Sequence, residues 1–117
     1  MTSKAIYDDV PVMPGMIYVK EASTIYDTPG ARACRLTYRN DRDVYLAAIS
    51  YYKQQMGASK WQYVNTMGMG EATRMDFKKG SEACTVMVKA VDDKTTTVTV
   101  EIRGDKSTGN IGENKAK

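Results

Sequence analysis

The chain has 117 residues, enough for one domain, with 17 basic against 14 acidic side chains and a net charge of +3. Apolar residues make up 42 % and charged residues 26 %, a globular balance that argues against wholesale disorder, and no apolar run approaches the roughly 20 residues of a membrane-crossing helix. There is no histidine, which excludes Ser-His-Asp and Cys-His catalysis, imidazole metal sites and His-ligated haem. No glycine-rich nucleotide loop or CxxC motif is present either.

Residues 1–15 carry Pro11 and Pro14-Gly15 and read as an extended N-terminal arm ending in a turn. Met16 to Lys20 suits a short strand, which Ser23 to Tyr26 extends before the turn Asp27-Thr28-Pro29-Gly30. Ala31 to Arg39 alternates, with Cys34, Leu36 and Tyr38 on one face and Arg35, Thr37 and Arg39 on the other, which predicts a half-buried strand. Asn40 or Asp41 is placed to cap a helix, and from Val44 the period turns helical. Tyr45, Ala48, Ile49, Tyr52 and Met56 form its apolar stripe, with Gly57 as the left-handed cap.

Four strands follow. Lys60 to Thr66 presents Trp61 and Tyr63 on one face, and Met67-Gly68-Met69-Gly70 reads as a flexible turn. Glu71 to Lys78, Glu82 to Ala90 and Thr95 to Arg103 all alternate, placing together Thr73, Met75 and Phe77, then Cys84, Val86 and Val88, then Val98, Val100 and Ile102, the last three inward. Short turns between them predict an antiparallel meander. The expected fold is α+β. One helix packs on a curved antiparallel sheet of five or six strands, in the order strand, strand, helix and four strands, over residues 16–103. Residues 104–117 read as a flexible polar tail. One helix covers only part of such a sheet, and the remainder curls, faces solvent or meets a partner.

Cys34 and Cys84 both point into the core, and two readings stand. They are buried thiols, or they form a disulfide, which needs neighbouring strands with α-carbons about 4.4–6.8 Å apart and an oxidising compartment. Eight tyrosines against one phenylalanine suit both core and interface. Tyr7, Tyr18, Tyr26 and Tyr51, with Arg35 and Arg39, are the interaction candidates, while Tyr52, Trp61 and Tyr63 are assigned to the core. Met13 and Met16, like Met67 and Met69, read as gap-fillers or turn flanks rather than a copper site. Asp8-Asp9, Asp41/Asp43 and Asp92-Asp93 fall in arms and turns, which does not predict two carboxylates facing across a cleft. Arg32, Arg35, Arg39 and Arg42 form the densest basic cluster, with acidic residues directly after it.

Tyr51-Tyr52-Lys53-Gln54-Gln55-Met56 followed by Lys60-Trp61-Gln62-Tyr63-Val64 resembles an FYxxxM…GW helix–strand element of small bacterial envelope proteins, many of them lipoproteins. Pro14-Gly15 before the first strand, Phe77-Lys78-Lys79-Gly80 and the strand bearing Cys84 fit the same group, and Lys60 departs from it where a glycine often stands. The resemblance spans residues 11–103 and brings no catalytic residues with it. It implies a non-enzymatic, exported protein-binding or self-assembling module of the cell envelope. On that reading the partner is another protein or a second copy, any membrane tether lies outside this chain, and the location is extracytoplasmic, periplasmic or lipid-anchored. No apolar leader follows Met1, so a cytoplasmic protein is the alternative location. The alternative functions are a small-ligand carrier, or a nucleic-acid or anionic-surface binder acting through Arg32, Arg35, Arg39 and Arg42. No cofactor, metal or transmembrane segment is expected.

Overall fold

The computed structural model describes residues 3–104. One helix packs on one face of an antiparallel sheet. In chain order the elements are β1 (Ile17–Tyr18), β2 (Thr24–Ile25), β3 (Ala33–Asn40), α1 (Tyr45–Ala58), β4 (Gln62–Met69), β5 (Ala72–Lys79), β6 (Glu82–Asp92) and β7 (Thr95–Gly104). The sheet runs β1-β3-β7-β6-β5-β4, and β2 pairs with β3 farther along the edge that β1 also uses. Seven strands therefore occupy six positions, because β1 and β2 are one edge strand broken by a 3-10 turn at Lys20–Ala22. Side chains stitch that break to β3: the Thr37 N–H donates to Ser23 Oγ at 2.9 Å, and Thr37 Oγ1 donates to the Ala22 carbonyl at 2.7 Å.

The alternation read from the sequence sets the inner face. Cys34, Leu36 and Tyr38 of β3, Met75 and Phe77 of β5, Cys84, Val86 and Val88 of β6, and Val98, Val100 and Ile102 of β7 are all buried. Each such aliphatic or aromatic side chain contributes about 1.5–3 kcal/mol of burial. The helix adds Ala48, Tyr52 and Met56, flanked by the partly buried Tyr45 and Ile49, and crosses β4, β5 and β6.

Both ends of the helix differ from expectation. Asn40 lies in β3, and neither it nor Asp41 caps α1. The entry is held instead by Thr96, which accepts the Val44 N–H and donates to the Arg42 carbonyl, both at 3.0 Å, while Asp43 accepts from the Tyr45 N–H at 3.3 Å. Gly57 sits inside the helix, and the left-handed residue is Lys60, at φ 76°. The Trp61 N–H bonds the Met56 carbonyl and the Lys60 N–H the Gly57 carbonyl, each at 3.0 Å, which is the Schellman pattern with its left-handed position filled by lysine.

Two further corrections concern β4. The strand continues through Met69, so Met67-Gly68-Met69 pairs with β5 and the chain reverses at Gly70, whose φ is 67°. Tyr63 is not core. It lies half exposed on an edge strand, in an edge contact with Phe77, with its hydroxyl on Thr66 Oγ1 at 2.6 Å and Lys53 5.8 Å from its ring. The expected tail lies in the residues after Gly104, outside the described ones.

Candidate functional site

The N-terminal segment is not an extended arm. The Ser3 N–H donates to the Met16 carbonyl at 3.0 Å and Ser3 Oγ accepts the Tyr18 N–H at 2.8 Å, so residues 3–16 close into a loop whose ends meet. The loop lies beside α1 and covers inner-face area that the helix leaves open. Val10 and Met16 are fully buried in the common core, with Tyr7, Val12 and Met13 packed against it. Tyr51 Oη donates to the Val12 carbonyl at 3.1 Å, and Trp61 Nε1 donates to the Asp9 carbonyl at 2.8 Å. At Gly15 the backbone has φ 92°, a conformation that favours glycine, and a β-carbon would stand 2.9 Å from the end of the Asn40 side chain. The uncovered sheet that suggested a partner is thus covered by the chain's own first residues.

A charged latch holds this loop. Arg32 gives two bonds to the Asp9 carboxylate, at 2.8 and 2.9 Å, and two to Glu82, at 2.7 and 2.6 Å. Lys79 Nζ reaches Asp9 at 2.7 Å. The Arg32 guanidinium lies against the rings of Tyr7 and Trp61, at 5.1 and 5.9 Å, and Lys79 lies 4.7 Å from the Trp61 ring. Hydrogen bonding from Arg32, with a further bond from Lys79, holds the Asp9 carboxyl down at about 2 against an opposing effect of burial. Glu82 first and Asp9 second raise the Arg32 guanidinium further above its already high range.

Beneath the loop and helix lies a chemically unusual group. Tyr38 is fully buried, and its hydroxyl has no hydrogen-bond partner among the described residues. Burial, with a smaller effect of Tyr18, pushes this phenol up to about 12. The Tyr18 ring stands 5.6 Å away. Tyr52, also fully buried, is raised by burial, and its hydroxyl makes one long contact of 3.5 Å with the Met13 N–H. Both belong to one core cluster with Met16, Met56, Met75 and Phe77, three of them thioethers that repack easily.

The predicted site residues distribute as follows. Cys34 and Cys84 are free and buried, and no disulfide joins them. Both pair with Ile102, Cys34 from β3 and Cys84 from β6, so β7 lies between them. Two inter-strand spacings put their α-carbons roughly 10 Å apart, beyond the reach of a bridge. Burial raises both thiols, so they are poor nucleophiles, and they carry no information about compartment. Tyr7 donates to Asp27 and Tyr51 to the loop, Tyr18 packs on Tyr38, and Tyr26 is 72 % exposed beside a surface groove of about 370 Å³. The basic cluster is dispersed by pairing: Arg32 turns into the latch, Arg35 pairs with Glu101 at 2.7 Å and Arg39 with Asp41 at 3.0 Å, leaving Arg42 exposed. Sequence reasoning placed Tyr38 inward but missed its lone hydroxyl, and it missed the latch formed by Asp9, Lys79 and Glu82. No local pattern marks either, since the latch partners lie 23 to 70 residues apart in sequence.

Among the described residues no helix is long and apolar enough to cross a membrane. The model of a family described as START domain-like matches residues 46–108, from the first turn of α1 past the end of β7 and over more than half of the chain. That match lends no support to the envelope-protein resemblance of the helix–strand element. No curated protein matches the chain.

Proposed function

The chain belongs to the START domain-like family, and from that premise we propose that it binds a small, largely apolar ligand carrying a single hydrogen-bonding group. Domains of this kind often bind small ligands. The binding region is the interior bounded by α1, the 3–16 loop and the inner face of the sheet. The observation that carries the reading is the Tyr38 hydroxyl, fully buried and without a partner among the described residues. A buried hydroxyl in that state costs about 1–3 kcal/mol, which a ligand oxygen or nitrogen accepting its proton would recover. Met16, Met56 and Met75 of the same core cluster are side chains that can repack against the body of a ligand. Val10 and Met16 occupy part of the same interior, so binding requires the 3–16 loop to shift and the Arg32 latch to loosen.

The test is titration with 1-anilinonaphthalene-8-sulfonate, followed by its displacement with fatty acids of increasing length. Saturable one-to-one binding is expected, weakened about 5- to 100-fold in Tyr38→Phe through loss of one hydrogen bond. Because Tyr38→Phe also removes an unsatisfied buried hydroxyl, the unliganded variant is expected to be at least as stable as the parent. Absence of saturable binding by the dye and the acids, or equal binding by parent and variant, would refute the reading.

A further inference from the structure

The two edges of the sheet are treated in opposite ways. On the β1/β2 side the edge consists of two-residue strands, interrupted by a 3-10 turn that exposes Lys20 and Glu21. Short strands, breaks and charges are the usual devices that stop a sheet edge from pairing with another chain. The β4 edge has eight residues, all exposed, and residues 61–70 contain no charged side chain and no proline in a chain that is 26 % charged. Its only irregularity is the bulge between Tyr63 and Asn65, after which Asn65–Met69 pairs regularly with β5. Along that stretch Met67 and Met69 stand 52 % and 46 % exposed.

We propose that β4 pairs with the β4 of a second copy of this chain, antiparallel about a two-fold axis near Met67, so that two sheets join into one. This goes beyond the ligand reading and does not depend on it. The occupant follows from charge. In a two-fold pairing the strand faces a copy of itself, so a charge near the axis would lie opposite or near its like, and of the strands longer than two residues this one alone has none. Of the outward charges on β5, Arg74 and Asp76, beside Met67 and Asn65, pair with each other at 3.1 Å, while the exposed Lys78 lies beside Gln62 at the far end of β4. The pairing satisfies the outer backbone groups of β4 and covers Met67 and Met69.

Sedimentation velocity from micromolar to millimolar protein tests this. The expected mass rises with concentration toward twice the 13.0 kDa of the chain. Met67→Lys and Met69→Lys, both at exposed positions and checked for folding by circular dichroism, are each expected to raise the dissociation constant at least about tenfold. Ile17→Lys on the opposite edge is expected to leave it unchanged. Amide exchange should show protection of β4 in concentrated but not in dilute protein. A monomer at every concentration, a dimer indifferent to Met67→Lys and Met69→Lys, or one abolished by Ile17→Lys would overturn the proposal.

Discussion

Trp61 donates its indole proton to the main-chain carbonyl of Asp9 at 2.8 Å, so the residue that follows the helix cap also fastens the N-terminal loop. The side chain is 3 % exposed and its ring lies against both Arg32 and Lys79. Trp61→Ala should therefore cost about 3–5 kcal/mol. Trp61→Phe keeps most of the apolar body and removes the donor, so it isolates the hydrogen bond and the carbonyl left behind, at about 1–3 kcal/mol. Urea denaturation of the two variants beside the parent measures both. A loss under about 1 kcal/mol for alanine would contradict this packing.

Asp9 makes the latch sensitive to acid. Its carboxyl titrates at about 2 in the folded chain instead of the usual 3.8, so the folded state favours the ionised form. The resulting stability, about 2 kcal/mol, is fully present above pH 4 or so and is lost as pH falls toward 2. Asp9→Asn should be less stable than the parent by about that amount at neutral pH. The difference should shrink as pH drops through the interval between 4 and 2. Denaturation midpoints of parent and variant across that range give the comparison, and a constant gap would argue against the latch.

The helix terminus offers a pair of substitutions with opposite logic at sites three residues apart. Gly57 is helical and exposed, and nothing lies within 4 Å of an added β-carbon, so Gly57→Ala should stabilise by about 1 kcal/mol. Lys60 holds the left-handed conformation at φ 76°, which strains a side chain, so Lys60→Gly should stabilise by about 0.5–1 kcal/mol. Thermal unfolding of the two variants checks both signs. Were Gly57 the left-handed cap that the sequence suggests, its alanine variant would lose stability.

That terminus also shows how far local pattern reaches. The end of the helix was legible to within a turn, since Gly57 and Lys60 lie three residues apart on either side of it. Which of them turns left-handed was settled by the distant contacts of Trp61, whose burial against Asp9 demands that the chain reverse one residue before it. β4 was similarly read three residues short, ending at Thr66 instead of Met69. Met67-Gly68-Met69 has the composition of a turn, but the register with Ala72 to Arg74 carries the pairing on to Met69.

The sequence by itself determined the α+β class, the single helix and the inward faces of β3, β5, β6 and β7, because periods of 2 and 3.6 are properties of neighbouring residues. Only the tertiary structure decided that β7 stands between Cys34 and Cys84, that residues 3–16 fold back over the core, and that Asp9 meets Arg32 and Lys79. Those relationships join residues far apart in the chain. They depend on strand order and on which surfaces remain uncovered once the helix has docked, and no local periodicity encodes either.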